Sequence, residues 1–188
     1  MKQHAWMAAA WLALMLNPFS IRELEASMLG YMLVQIPGLI AAGYCFGKYL
    51  LAALPSRSFR WDPGGACFTL LAIFTIAYWI LPRNVDAALN DIATGAWKWA
   101  TLPLLAGIPL AIGWQKLHPI AKGLVRTNLI SMLFVMSWLY TSAPVRLCNN
   151  YLEQQQDQLG QGMFIAGLAL AGYRVYVAFA GSTKTVGR

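Results

Sequence analysis

Residues 27–53 read SMLGYMLVQIPGLIAAGYCFGKYLLAA, an apolar run whose one formal charge, Lys48, stands near its end. About 20 apolar residues carry a helix across the hydrocarbon core of a bilayer. The run is continuous rather than alternating, so it reads as helix and not as barrel strand. Inside lipid every backbone N–H needs a partner within its own segment, and a helix supplies one. Pro37 breaks that pattern locally, because it has no N–H and crowds the carbonyl four residues back.

Five further apolar segments surround this one. They cover about 5–18, stopped by Pro18; 66–81, opened by Asp62-Pro63-Gly64-Gly65 and closed by Pro82; 97–114, holding Pro103 and Pro109; 124–142, ended by Pro144; and 160–180, ended by Gly181. The first segment, behind Lys2, also has the length of a signal-peptide core, but no small-x-small cleavage site follows it, so a retained helix is preferred. Across all 188 residues, 59% are hydrophobic and 11% are charged. A soluble domain is about 45–50% apolar and about 25% charged. The expected fold is therefore all-α: a polytopic integral membrane helix bundle of about six transmembrane helices, one domain over 1–188.

Charge sets the orientation. With the N-terminus in the cytoplasm, Lys2, Lys48, Arg57, Arg60, Lys116, Lys122, Arg126, Lys184 and Arg188 fall inside, and Arg22, Arg83, Lys98 and Arg146 fall outside. The excess of basic residues belongs on the cytoplasmic side. Both termini are thus expected in the cytoplasm, and the chain is expected to be a multi-pass protein of the bacterial inner (cytoplasmic) membrane. The net charge of +7 is spread over short loops rather than clustered with aromatics, which argues against nucleic acid and for topology and lipid contact. Small residues (Ala41, Ala42, Gly43 and Gly47; Gly160, Gly167 and Gly172) would permit close helix contact.

Enzymatic chemistry finds few residues to work with. The only histidines, His4 and His118, stand at or beyond helix ends, so no bis-His heme is expected. No G-x-S-x-G elbow, P-loop or GxGxxG is present, and catalysis is not expected. Arg174, in the last segment, can snorkel to the interface. Soft donors remain. Met28, Met32, Met163 and Cys148 fall toward the outer side, and thioether and thiol sulfur suit Cu(I). Met28 and Met32, four apart, share a helix face. Methionine also fills irregular gaps in helix packing, and that plain reading stays open. Cys45 and Cys67 read as packing residues.

Three stretches resemble the membrane-integral CtaG-type assembly factors of heme–copper cytochrome oxidase. Glu25–Leu39 (EASMLGYMLVQIPGL) resembles their Met-x-x-His-Met…Pro-Leu signature. Leu81–Leu89 (LPRNVDAAL) resembles a Leu-Pro…Asp-x-Ala segment, and Asp157–Gly162 (DQLGQG) resembles an Asp-Gln…Gly approach to a final helix. The resemblance implies a role in oxidase biogenesis, with copper as cargo at the outer face and a membrane oxidase subunit as partner. Tyr31 stands where the family commonly carries His, which leaves thioethers as the nearby ligands. Asp86 and Asp157 are expected to orient outer loops or to meet a partner's basic residue. Two alternatives stay open: a non-catalytic structural subunit of a membrane redox complex, and a small transporter.

Overall fold

The computed structural model describes residues 17–53, 62, 64–143, 146 and 148–182. Every element among them is helical. In chain order these are α1 (Pro18–Glu25); a π-helical turn (Gly30–Gln35) running into α2 (Ile36–Ala53); α3 (Ala66–Ile80); α4 (Pro82–Asn90); α5 (Ile92–Thr101); a second π-helical turn (Leu102–Gly107) running into α6 (Ile108–Lys116); α7 (Pro119–Ser142); and α8 (Glu153–Ser182).

The two π-helical turns have the same local cause. Each ends two residues before a proline, at Gln35-Ile36-Pro37 and at Gly107-Ile108-Pro109. A proline in a helix crowds the carbonyl four residues back and leaves it without a donor. A turn closed by i→i+5 bonds widens the backbone at that place. The breaks expected at Pro37, Pro103 and Pro109 thus take the form of loosened turns, with Pro103 inside the second of them. At the second, the Thr75 hydroxyl, bonded mainly to the Leu71 carbonyl at 2.8 Å, also lies 3.4 Å from the Leu105 carbonyl that Pro109 leaves free.

Three helical rods form the inner bundle: the one ending in α2, α3, and the one running from α5 into α6. Their closest approach is backbone to backbone. A Cβ at Gly107 would sit 2.6 Å from the Gly43 Cα, and one at Gly47 would sit 2.7 Å from the Ala111 Cβ. Only residues without side-chain bulk permit this crossing. Beside it α7 and α8 form an antiparallel hairpin, with Gly160 against Thr141, Gly167 against the Phe134 ring, and Phe134 edge-on to Phe164 at 5.6 Å.

Among the described residues, three helices are long and apolar enough to cross a membrane: Gly30–Ala53, Pro119–Ser142 and Glu153–Ala180. A fourth span is possible by length if α3 and α4, which meet at a 69° bend, count as one. The bend follows from Pro82: its ring forces Leu81 into an extended conformation (ψ 130°), and the proline then opens α4 at its first position. The expected segment 97–114 lies within the helical path Ile92–Lys116, and the expected segment 5–18 lies, but for Asn17 and Pro18, outside the described residues. Both chain termini lie outside them too. Residues 82–96, expected as a loop, are helical in large part. Asp91 divides them, its carboxylate accepting from the Thr94 N–H at 2.9 Å and the Thr94 hydroxyl at 2.6 Å to start α5.

The outer faces match a lipid environment. Only 6% of the most apolar window of α7 and 11% of that of α8 is buried, against 33% for Gly30–Ala53. Trp138, Ile165, Tyr176 and Phe179 are each more than half exposed. A water-facing surface does not carry so extended an apolar patch. The chain is an all-helical protein with several helices of membrane-spanning character.

Candidate functional site

At one end of the molecule α1, the first π-helical turn, the last turn of α5 and the loop before α8 converge. The π-helical turn turns Tyr31, Met32 and Gln35 inward, and Met28 precedes them, fully buried. Ser27 fixes the start of that turn: its hydroxyl accepts from the Gly30 N–H at 3.0 Å and its carbonyl from the Tyr31 N–H at 3.0 Å.

Lys98 projects from α5 into this packing and is fully buried. Its ammonium donates to Glu25 Oε1 at 2.9 Å and to Gln35 Oε1 at 3.1 Å. The Gln35 amide donates in turn to Glu25 Oε1 at 3.1 Å, closing a triangle. The third side of the ammonium faces the Tyr31 ring, 4.3 Å from its centroid. An isolated ammonium in such a place would be costly, so the pairing is what permits the burial.

A second set of bonds holds the loop bearing Cys148. The Asp86 carboxylate accepts from the Asn149 N–H at 2.9 Å, the Asn150 N–H at 3.3 Å and the Asn150 amide at 3.2 Å. The Tyr151 hydroxyl donates to the Glu25 carbonyl at 3.0 Å, tying the loop to the end of α1. Cys148 is buried as a result. Burial, with the Asp86 charge behind it, pushes its thiol up to about 12. The same burial, and the charges of Glu25, Cys148 and Asp86, hold the Tyr151 hydroxyl above the usual phenol range.

The four sulfur residues singled out in the sequence all lie in one contiguous buried cluster: Met28, Met32, Cys148 and Met163. Tyr31, Tyr140 and Tyr151 belong to it as well. The Tyr31 and Tyr140 hydroxyls are buried and have no hydrogen-bond partner among the described residues. A buried hydroxyl without a partner is rare and calls for a reason. Asp157 stands apart from the cluster, on the exposed side of α8, where it accepts from Gln161 at 3.0 Å. No group of three or more His, Cys, Asp or Glu side chains suited to a metal occurs among the described residues. A metal held in the cluster would rest mainly on thioethers, a donor set that fits Cu(I) and not a hard cation.

Composition alone does not reveal the Lys98–Glu25–Gln35 triangle. The orientation argument counts Lys98 as one more outer charge. Two features do mark it: a single lysine at the mouth of an apolar segment, and one amide, Gln35, inside another. The tyrosines carry no such signal, since eight are spread along the chain.

No protein family, no curated protein and no solved structure matches this chain.

Proposed function

We propose that this protein is a six-span factor of the bacterial inner membrane, with both termini cytoplasmic, that supports biogenesis of a heme–copper respiratory oxidase by holding Cu(I) in transit. The reading rests on one observation above the rest: four soft donors from three stretches of chain share one buried cluster, in which two tyrosine hydroxyls lack partners among the described residues. The resemblance of residues 25–39, 81–89 and 157–162 to CtaG-type proteins supports the same role.

Met28, Met32, Met163 and Cys148 would hold the ion, and Cu(I) is cargo here, not a catalytic centre. Thioethers bind it without losing a proton. Cys148 differs, because its thiol is protonated at neutral pH. Capture replaces the S–H bond with an S–Cu bond and releases one proton, so affinity rises about tenfold per pH unit while the thiol remains protonated. The Tyr31 and Tyr140 hydroxyls are the buried donors available to the sulfur once it carries negative charge. The Lys98–Glu25–Gln35 triangle fixes the π-helical turn that carries Met32 and the residues around it. Asp86 holds the Cys148 loop, and Asp157, exposed on the surface, is placed to meet a partner.

Competition for Cu(I) against bicinchoninate, with the purified protein in detergent, tests the reading. The intact protein withdraws Cu(I) from the chelator. M28L/M32L binds at least about tenfold more weakly, and C148S loses the pH dependence. M28L/M32L should also lower oxidase activity in membranes at an unchanged level of the protein. Failure to compete with the chelator overturns the copper role. Stoichiometric retention in the mature oxidase favours the structural-subunit reading instead, for which the exposed apolar faces of α7 and α8 supply a membrane contact.

A further inference from the structure

The opposite end of the molecule holds a second place built for a ligand. Between α7 and α8 runs a groove of about 280 Å³, lined by Arg126, Leu129, Ile130, Leu170, Tyr173 and Arg174. We propose that this groove binds an anionic phospholipid, its phosphate between the Arg126 and Arg174 guanidinium groups and an acyl chain along Leu129, Ile130 and Leu170.

The depths of the two arginines agree. Arg126 is seven residues into α7 and Arg174 is eight residues before the end of α8. At 1.5 Å per residue both stand roughly 10–12 Å from the same end of the hairpin. At matching depths the two guanidinium groups, each able to snorkel toward the same interface, converge on the level of a lipid phosphate. Arg126 is steadied by the Trp114 ring, whose centroid lies 5.1 Å from the guanidinium carbon. Both side chains are half-buried, while Leu129 and Tyr173 are exposed, so the groove is open along its length.

Charge complementarity identifies the occupant. Six of the seven acids (Glu23, Glu25, Asp86, Asp91, Glu153 and Asp157) lie by sequence at the other end of the helices, where the Lys98 cluster is. Asp62 alone belongs to the arginine end, and its carboxylate accepts from the Phe68 N–H at the start of α3 at 3.0 Å. No ion pair joins either arginine to a carboxylate among the described residues. A pair of cations above an apolar trough in a membrane helix hairpin matches a lipid headgroup and its chain. This holds whether or not copper is the cargo at the far end.

Native mass spectrometry of the detergent-solubilised protein, titrated with phosphatidylglycerol or phosphatidylcholine, tests the site. The protein should retain phosphatidylglycerol about ten- to thirtyfold better than phosphatidylcholine. R126Q/R174Q should lose that preference, and K48Q/K122Q, which removes two other cations of the same end, should keep it. L170W, which fills the trough and leaves both charges, should also lower retention. Equal retention of the two lipids, an unchanged preference in R126Q/R174Q, or loss of preference in K48Q/K122Q to the same extent would overturn the assignment. Should R126Q/R174Q not fold, R126K/R174K and L170W decide alone, since the first keeps charge without the bidentate fork and the second keeps both.

Discussion

The inner bundle and the α7–α8 hairpin use the same kinds of residue to opposite ends. In the inner bundle, glycines let backbones touch, a lysine is fully buried and methionines are enclosed. In the hairpin, Gly172 meets nothing within 4 Å, Arg174 is half-buried and Met132 is half exposed. Composition barely separates the two regions. Their difference lies in what surrounds each of these residues: protein on all sides of Met28 and Lys98 and against Gly43, an open surface beside Gly172, Arg174 and Met132. Residue type alone therefore does not announce function in a membrane chain, whereas a residue type in a closed environment does.

The sharpest way to break this comparison is to unpair the buried charge. Glu25→Gln leaves the Lys98 ammonium enclosed with only neutral partners. Removing one member of a buried pair costs about 3–5 kcal/mol, because the remaining charge stays desolvated. The loss is read as a shift in the SDS-unfolding midpoint of the detergent-solubilised protein. The double variant E25Q/K98M, which removes both charges, should recover most of it. R174M in the hairpin, where the side chain reaches the interface, should move the midpoint far less. A Glu25→Gln protein as stable as the parent would mean that the Lys98 environment is wetter than its burial indicates.

A smaller effect comes from a matched pair of glycines. Gly43→Ala puts a methyl group into the backbone of Pro103 across the helix crossing, and a helical backbone cannot step aside as a flexible side chain can. Overpacking of this kind costs about 1–3 kcal/mol. Gly172→Ala enters open space and gains helix propensity, by about 1 kcal/mol at most. Opposite signs in one unfolding assay sharpen the contrast; equal effects would refute the close crossing.

Much of this was legible in the sequence, for physical reasons that can be named. Continuous apolar runs give the helical class, because lipid admits little else. Pro37 and Pro109 give the places of the loosened turns, since the missing N–H acts within one turn of chain. Met28, Met32 and Met163 were expected toward one side, and they stand in one buried cluster. The helical structure of residues 82–96 was not legible, because Pro82 and Asp91 read equally well as loop breakers and as helix starters. The Lys98–Glu25 pair was not legible either: 73 residues separate the partners, and their meeting depends on how α1 folds back over the bundle. The closeness of Cys148 to the methionine cluster likewise depends on Asp86, through hydrogen bonds that no local pattern encodes.

The finest test of the contrast lies in two thiols. Cys148 is enclosed at the bundle end, while Cys67, at the start of α3, is exposed. Burial first, and the Asp86 charge second, push the Cys148 thiol up to about 12. In an unfolded chain the same thiol ionises near about 8.5. Below about pH 8.5 both states hold the proton, and stability does not vary with pH through this group. Between about 8.5 and about 12 the folded protein keeps a proton that the unfolded chain has lost, so stability falls as pH rises across that window. At pH 8 the folded Cys148 carries far less thiolate than a free thiol, and alkylation proceeds through the thiolate. N-ethylmaleimide at pH 8 should therefore modify Cys67 well before Cys148, SDS should erase the difference, and C148S should lose the added sensitivity to pH 10. Equal labelling of both cysteines in the folded protein would place Cys148 outside the enclosed cluster and remove it from the proposed copper ligands, leaving the three methionines to carry that role.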